Sequence, residues 1–179
     1  MADQTFTSGQ ILTAAQMSSL QSNIGLTYVT TSAITGTTFN LDGIFTSSYS
    51  NYVVTIDDFK SAGNQIYMKL RSGGTPTSTG YYSAQNYTDW TGAASTQGLV
   101  NNGAQWNTNF TGTIANSIFM NIFNPQAAKI TTMTIQATWN ALAAGSGGGY
   151  QSATTQFDGI SLISASAMTG NITIYGYRK

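Results

Sequence analysis

The chain has 179 residues, enough for one substantial core, but only 7% of them are charged, and the formal net charge is zero. Ser, Thr, Asn, Gln and Gly must therefore cover the surface, and the scattered Lys and Arg form no basic patch of the kind that neutralises nucleic-acid phosphates. An aromatic content of 12% argues against a disordered tail, the absence of cysteine excludes disulfides and thiolate metal sites, and no apolar run is long enough to insert into a membrane.

Met1 to Gln10 has no basic stretch followed by an apolar core, so the product is expected to be made in the cytosol without a secretory signal. Start signals for a helix coincide at Leu12-Thr13-Ala14-Ala15-Gln16-Met17. Thr13 and Gln16 have capping-box spacing, each side chain satisfying the other's free backbone N–H, and Leu12 and Met17 fall at the two staple positions. The helix is expected to run to Asn23 or Ile24 and to stop at Gly25. Met17, Leu20 and Ile24 line one face, and a helix this short is marginal alone, so that face needs a partner. Residues 1–25 read as an attachment segment and 26–179 as one β domain.

From Leu26 onward the period changes to two. Strands are expected near Leu26 to Thr31, Thr37 to Leu41, Tyr52 to Asp57, Gln65 to Arg71 and Tyr81 to Tyr87. Others follow at Ser117 to Phe123, Ile130 to Trp139, Gly159 to Ser164 and Asn171 to Arg178. In the clearest of them Met133, Ile135, Ala137 and Trp139 alternate with Thr132, Thr134, Gln136 and Thr138, one set for the core and one for water. Asp57-Asp58 should end a strand and open a turn reaching Gly63, and Asp42-Gly43 and Asp158-Gly159 read as turn dipeptides. Gly73-Gly74 and Gly145-Ser146-Gly147-Gly148-Gly149 lack the Lys-Ser/Thr ending of a phosphate loop and read as flexible loop tips. The pattern predicts an all-β antiparallel β-sandwich of jelly-roll type with a short N-terminal α-helix. No fixed repeat period supports a β-helix.

Histidine and glutamate are absent, and the carboxylates are Asp3, Asp42, Asp57, Asp58, Asp89 and Asp158. A serine nucleophile would lack its usual base. Two Asp could flank a glycosidic bond, but neighbours such as Asp57 and Asp58 on a strand point to opposite faces. No D-x-D-x-D-G calcium loop is present. The expectation is a protein without catalytic residues, metal or cofactor.

The stretch Phe6-Thr7-Ser8-Gly9-Gln10-Ile11-Leu12-Thr13-Ala14-Ala15-Gln16-Met17 resembles the opening of many phage tail-fibre and virion proteins, where an extended attachment segment leads into a capped helix. Ile44-Phe45-Thr46-Ser47-Ser48-Tyr49-Ser50-Asn51-Tyr52-Val53-Val54-Thr55-Ile56-Asp57 resembles the strand pair that begins a phage β-sandwich domain, and Ile172-Thr173-Ile174-Tyr175-Gly176-Tyr177-Arg178 is similar to that domain's last strand. The resemblance implies a bacteriophage virion structural protein, made in the host cytoplasm and exposed on the particle exterior, a homo-oligomer with a trimer favoured. Phe6, Leu12, Met17, Leu20 and Ile24 would then contact other virion proteins.

Two functions compete. In a fibre-like or receptor-binding appendage, Tyr81, Tyr82, Tyr87, Trp90 and Trp106, interleaved with Asn86, Asp89, Asn101, Asn102 and Asn107, would stack on and hydrogen-bond to neutral host-surface glycans. The alternative for each ring is a place in the core or a subunit interface, and Trp139 is expected in the core. In a capsid decoration or cement protein, the N-terminal helix and the edges of Thr-rich strands would hold the particle together with no ligand site. The sequons at Asn86, Asn109 and Asn171 would suit a secreted lectin-like domain, but such triplets arise by chance in an Asn/Thr-rich chain.

Overall fold

The computed structural model describes residues 8–9, 11, 13–17, 25–62, 65–91, 95–108, 113–114, 116–139 and 143–178. Among them run the strands β1 (Leu26–Leu41), β2 (Tyr49–Lys60), β3 (Ile66–Ser72), β4 (Thr75–Pro76), β5 (Tyr81–Asp89) and β6 (Ser95–Gly103). They are followed by β7 (Trp106–Asn107), β8 (Asn116–Phe123), β9 (Thr131–Trp139), β10 (Ala143–Gln151) and β11 (Gly159–Arg178). Neighbours pair in the order β4-β3-β11-β2-β8-β9-β10-β5-β6, with β1 also on β11 and β7 also on β3. The antiparallel all-β expectation holds. The strands form one continuous sheet curled into a half-barrel, however, where the sequence pattern suggested two stacked sheets.

Alternation explains which face turns inward. Tyr52, Val54 and Ile56 of β2, Ile118, Met120 and Ile122 of β8, and Met133, Ile135 and Ala137 of β9 are all buried. Ile66, Met68 and Leu70 of β3 meet them from the other arm of the curl. Full burial of such side chains stabilises by roughly 1.5–3 kcal/mol each, which is what drives the sheet to curl over its own inner face. The core also holds Trp106 and Tyr81, whose rings meet edge to face at 5.3 Å.

The curl is made by two long strands that bend without ending. The first part of β11 pairs with β3 and its last part with β2, while β1 follows it along the opposite side. Each was expected as two strands; glycine lets each continue. Gly36, at φ +80°, sits at a register shift in β1. Gly170, at φ +143°, lies so close to β2 that a Cβ there would meet Asp57 O at 2.9 Å and Phe59 Cα at 3.0 Å. Opposite it β2 bulges between Ile56 and Phe59, with Asp58 at φ +50°. Asp57 and Asp58 therefore do not end a strand. They form a bulge that bends β2 and returns Phe59 to the core.

The Gly145–Gly149 run is also not a loop tip. It forms β10, paired along its length with β9 and β5. A Cβ on Gly145 would meet Asn86 O at 2.7 Å, and one on Gly149 would meet Ser83 Cβ at 3.0 Å and Trp106 Nε1 at 3.1 Å. Side chains on the inner face of β10 would push β5 away, so glycine permits the tight curl. With glycine at the successive inner positions 145, 147 and 149, the strand leaves no period of two in the sequence.

The turn after β1 is held by a buried guanidinium. Arg71, 6% exposed, donates from Nε to Asp42 Oδ1 (2.6 Å) and from Nη2 to Asp42 Oδ2 (3.2 Å). Its Nη1 donates to Asn40 Oδ1 and Ser161 Oγ, both at 3.0 Å, and Nη2 also donates to Gly74 O. One side chain thus ties the end of β1, β3, the β3–β4 turn and β11 together. Asp158 completes this corner: its carbonyl accepts from Ile44 N and Phe45 N, and its Oδ2 accepts from Gly73 N.

At the N-terminus Ala14–Met17 form one helical turn. Thr13 N donates to Gln16 Oε1 (2.9 Å) and Gln16 N donates to Thr13 Oγ1 (3.2 Å), the two bonds of a capping box. Leu12, the staple partner, and the expected continuation to Ile24 lie outside the described residues, as do Phe6 and Leu20.

Candidate binding face

The registers of β2, β8, β9, β10 and β5 fix what the outer face of the sheet presents. One row across the strands is Thr55, Phe119, Gln136, Ser146 and Asn86. Two residues along lie Asn121, Thr134, Gly148 and Ala84, and two further Phe123, Thr132, Tyr150 and Tyr82. In the other direction lie Ser117, Thr138, Ala144 and Thr88. The small residues Gly148, Ala84 and Ala144 keep the middle low.

Three adjoining hollows of about 760, 400 and 490 Å³ follow this surface. The first two share Asn86, Phe119, Gln136 and Ser146, and Ala84 joins the second to the third. Together they make one trough from Asp57 and Thr88 at one end to Tyr82 and Tyr150 at the other. Six residues of extended strand separate Thr88 from Tyr82, so the trough is about 20 Å long. At its far end the rings of Tyr82 and Tyr150 stack at 4.5 Å with a 6° interplanar angle. Phe119 stands in its middle, 42% exposed.

The polar groups are largely uncommitted. The side chains of Asn86, Gln136 and Ser146 hydrogen-bond to no other described residue, and Asn121 makes only long contacts, to Thr134 Oγ1 (3.4 Å) and Tyr177 OH (3.5 Å). Asp57 is the one Asp, Glu, Lys or Arg among the lining residues.

The rings picked out from the sequence are divided by this geometry. Tyr81 and Trp106 are fully buried. Trp106 Nε1 donates to Tyr150 O (3.1 Å), and Tyr81 OH accepts from Leu70 N (2.8 Å) and donates to Thr77 O (3.2 Å), so neither can meet a ligand from outside. Tyr87 is half-buried on the inner face against the core. Tyr82 lies on the outer face in the stacked pair, and Trp90 is exposed just past the end of β5. Burial pushes the Tyr81 phenol up, and it raises that of Tyr52 despite hydrogen bonds with Thr46. Odd and even positions of β5 face opposite ways, so Tyr81 and Tyr87 could not share a surface with Tyr82. The sequence reading missed Phe119, Gln136, Ser146 and Tyr150. The alternation of β8 and β9 marks the first two as outward, but their alignment with β10 and β5 follows only from the register.

Of the attachment residues, Met17 is described and is exposed, as is its neighbour Ile11. Trp139 lies in β9. Among the described residues no three Asp, Glu, His or Cys cluster as metal ligands, and no helix is long and apolar enough to cross a membrane. No protein-family model matches the chain, and no curated protein is significantly similar to it.

Proposed function

We propose that the chain is a non-enzymatic structural protein of a bacteriophage particle, a fibre-like or receptor-binding appendage on the virion exterior, attached through its N-terminal segment. The observation that carries this reading is the contrast between that segment and the β domain. Ile11 (88% exposed) and Met17 (45% exposed) flank a turn already fixed by its capping box, while the half-barrel closes its core with its own side chains. Exposed apolar side chains on either side of a capped turn suit docking on another protein. Two of the stretches that resemble phage proteins are also adjacent in the sheet, where Ile56, Val54 and Tyr52 pair with Ile172, Ile174 and Gly176. Deleting residues 1–24 should leave a folded β domain that no longer enters particles. A truncated protein that still assembles would refute the attachment role.

A second reading, a decoration protein that associates through strand edges, is favoured by β1. Among the described residues β1 hydrogen-bonds to β11 alone, leaving its other edge open over Leu26–Leu41, a stretch without a charged residue or proline. Monomeric proteins usually protect so long an edge with lysine or proline. With zero formal net charge, nothing repels a second copy. Ala33 and Thr35 are exposed there, and Ala33→Lys with Thr35→Lys should reduce the oligomer seen by sedimentation to monomer. A wild-type protein monomeric at all concentrations would count against this reading.

A further inference from the structure

We propose that the outer-face trough binds a neutral oligosaccharide, whose rings lie on Phe119 and the Tyr82–Tyr150 pair while its hydroxyls bond to Asn86 and Gln136. This deepens the receptor-binding part of the function proposed above and rests on it for the source of the sugar. The residues differ from those the sequence suggested, because the register places a different set on one face.

Charge narrows the ligand first. No Lys or Arg lines the trough, and its one acidic residue is Asp57. Phosphorylated, sulfated or uronic-acid ligands would find no counter-charge and would be repelled at that end. A carboxylate beside neutral donors suits the vicinal hydroxyls of an uncharged sugar.

Hydrogen bonding narrows it further. Gln136, Ser146 and Asn86 stand side by side on β9, β10 and β5, about 4.8 Å apart as neighbouring strands are, and none is bonded to another described residue. Each amide offers two donors and an acceptor. An apolar protein surface laid over them would leave these groups unpaired, whereas a polyhydroxylated ligand satisfies them. Phe119 and Tyr150, both partly exposed, supply flat surfaces for the C–H faces of pyranose rings. The groups sit on paired strands, so little ordering is needed on binding.

The test uses the full chain on an array of neutral and acidic oligosaccharides, followed by titration calorimetry with the strongest neutral binder. The wild type should bind neutral members and ignore acidic ones. Asn86→Ala with Gln136→Ala removes two ligand hydrogen bonds and should weaken binding by about tenfold or more. Phe119→Ala should weaken it too, while Trp90→Ala, outside the trough, should not. Unchanged melting temperatures will show that the variants fold. Absence of any neutral ligand, a preference for acidic ones, or full affinity in the double variant would each overturn the site. Particle incorporation is scored separately: a wild-type protein that enters particles normally but binds no neutral glycan removes this site and leaves the attachment role standing.

Discussion

Replacing Arg71 with methionine tests whether the corner joining the end of β1, β3 and β11 depends on one buried cation. The substitution keeps the apolar stem and removes the bonds to Asp42, Asn40, Ser161 and Gly74 O. Removing one member of a buried ion pair typically costs 3–5 kcal/mol. Two features place this case at the low end: Asp42 is 45% exposed and can be rehydrated, and Ser161 Oγ still donates to Asn40 Oδ1 (2.7 Å). A cost of about 3 kcal/mol lowers the melting temperature of a chain this size by about 6–12 °C. Asp42→Ala should cost at least as much, because it strands the buried charge. Arg71→Lys should fall between, a single ammonium being unable to reproduce the fork. Thermal unfolding followed by tryptophan fluorescence gives all three, and the double variant should lose less than the sum of the singles. Additive losses, or an Arg71→Met protein melting within about 2 °C of wild type, would refute the clamp.

Gly149→Ala should destabilise by about 2 kcal/mol or more and speed amide exchange in β5, because the new Cβ meets Ser83, Trp106 and the β5 backbone. Gly148→Ala, one residue away, meets only Met133 O at 3.2 Å and should be far milder. Equal effects would contradict the close-approach explanation. The raised phenol of buried Tyr81 predicts loss of stability in alkali. Its protonated form is favoured in the folded state, so its contribution is complete below about pH 10, where an unfolded tyrosine ionises, and declines as pH rises toward the folded value, by up to about 1.4 kcal/mol per pH unit. Denaturant midpoints measured from pH 9 to 11.5 should fall, and Tyr81→Phe should flatten the slope while lowering stability at pH 7, since Leu70 N loses its acceptor. A slope unchanged by Tyr81→Phe would reject this cause.

The fold was legible wherever side chains alternate. β8 and β9 sit where the pattern of Ile118, Met120 and Ile122 and of Met133, Ile135 and Ala137 puts them, and the Thr13–Gln16 capping box has the bonds its spacing predicts. It was illegible where glycine replaces the pattern. β10 has no side-chain period because its inner face must be bare, and Gly36 and Gly170 bend strands that their flanking residues suggested were broken. The candidate site was legible only in chemical type. Aromatic rings among amides pointed to a sugar-like ligand, but facing direction is a parity and register property. Tyr81 and Trp106 therefore belong to the core, while Phe119, Gln136 and Tyr150 of the successive strands β8, β9 and β10 share the trough with Asn86 and Tyr82 of β5, a strand distant in sequence.

The attachment role is tested most directly by placing a photo-crosslinking amino acid at position 11 or at position 136 and irradiating assembled particles. The crosslinker at 11, in the attachment segment, should capture another virion protein, whereas the one at 136, in the outward trough, should capture none. Capture from 136 with none from 11 would contradict that role.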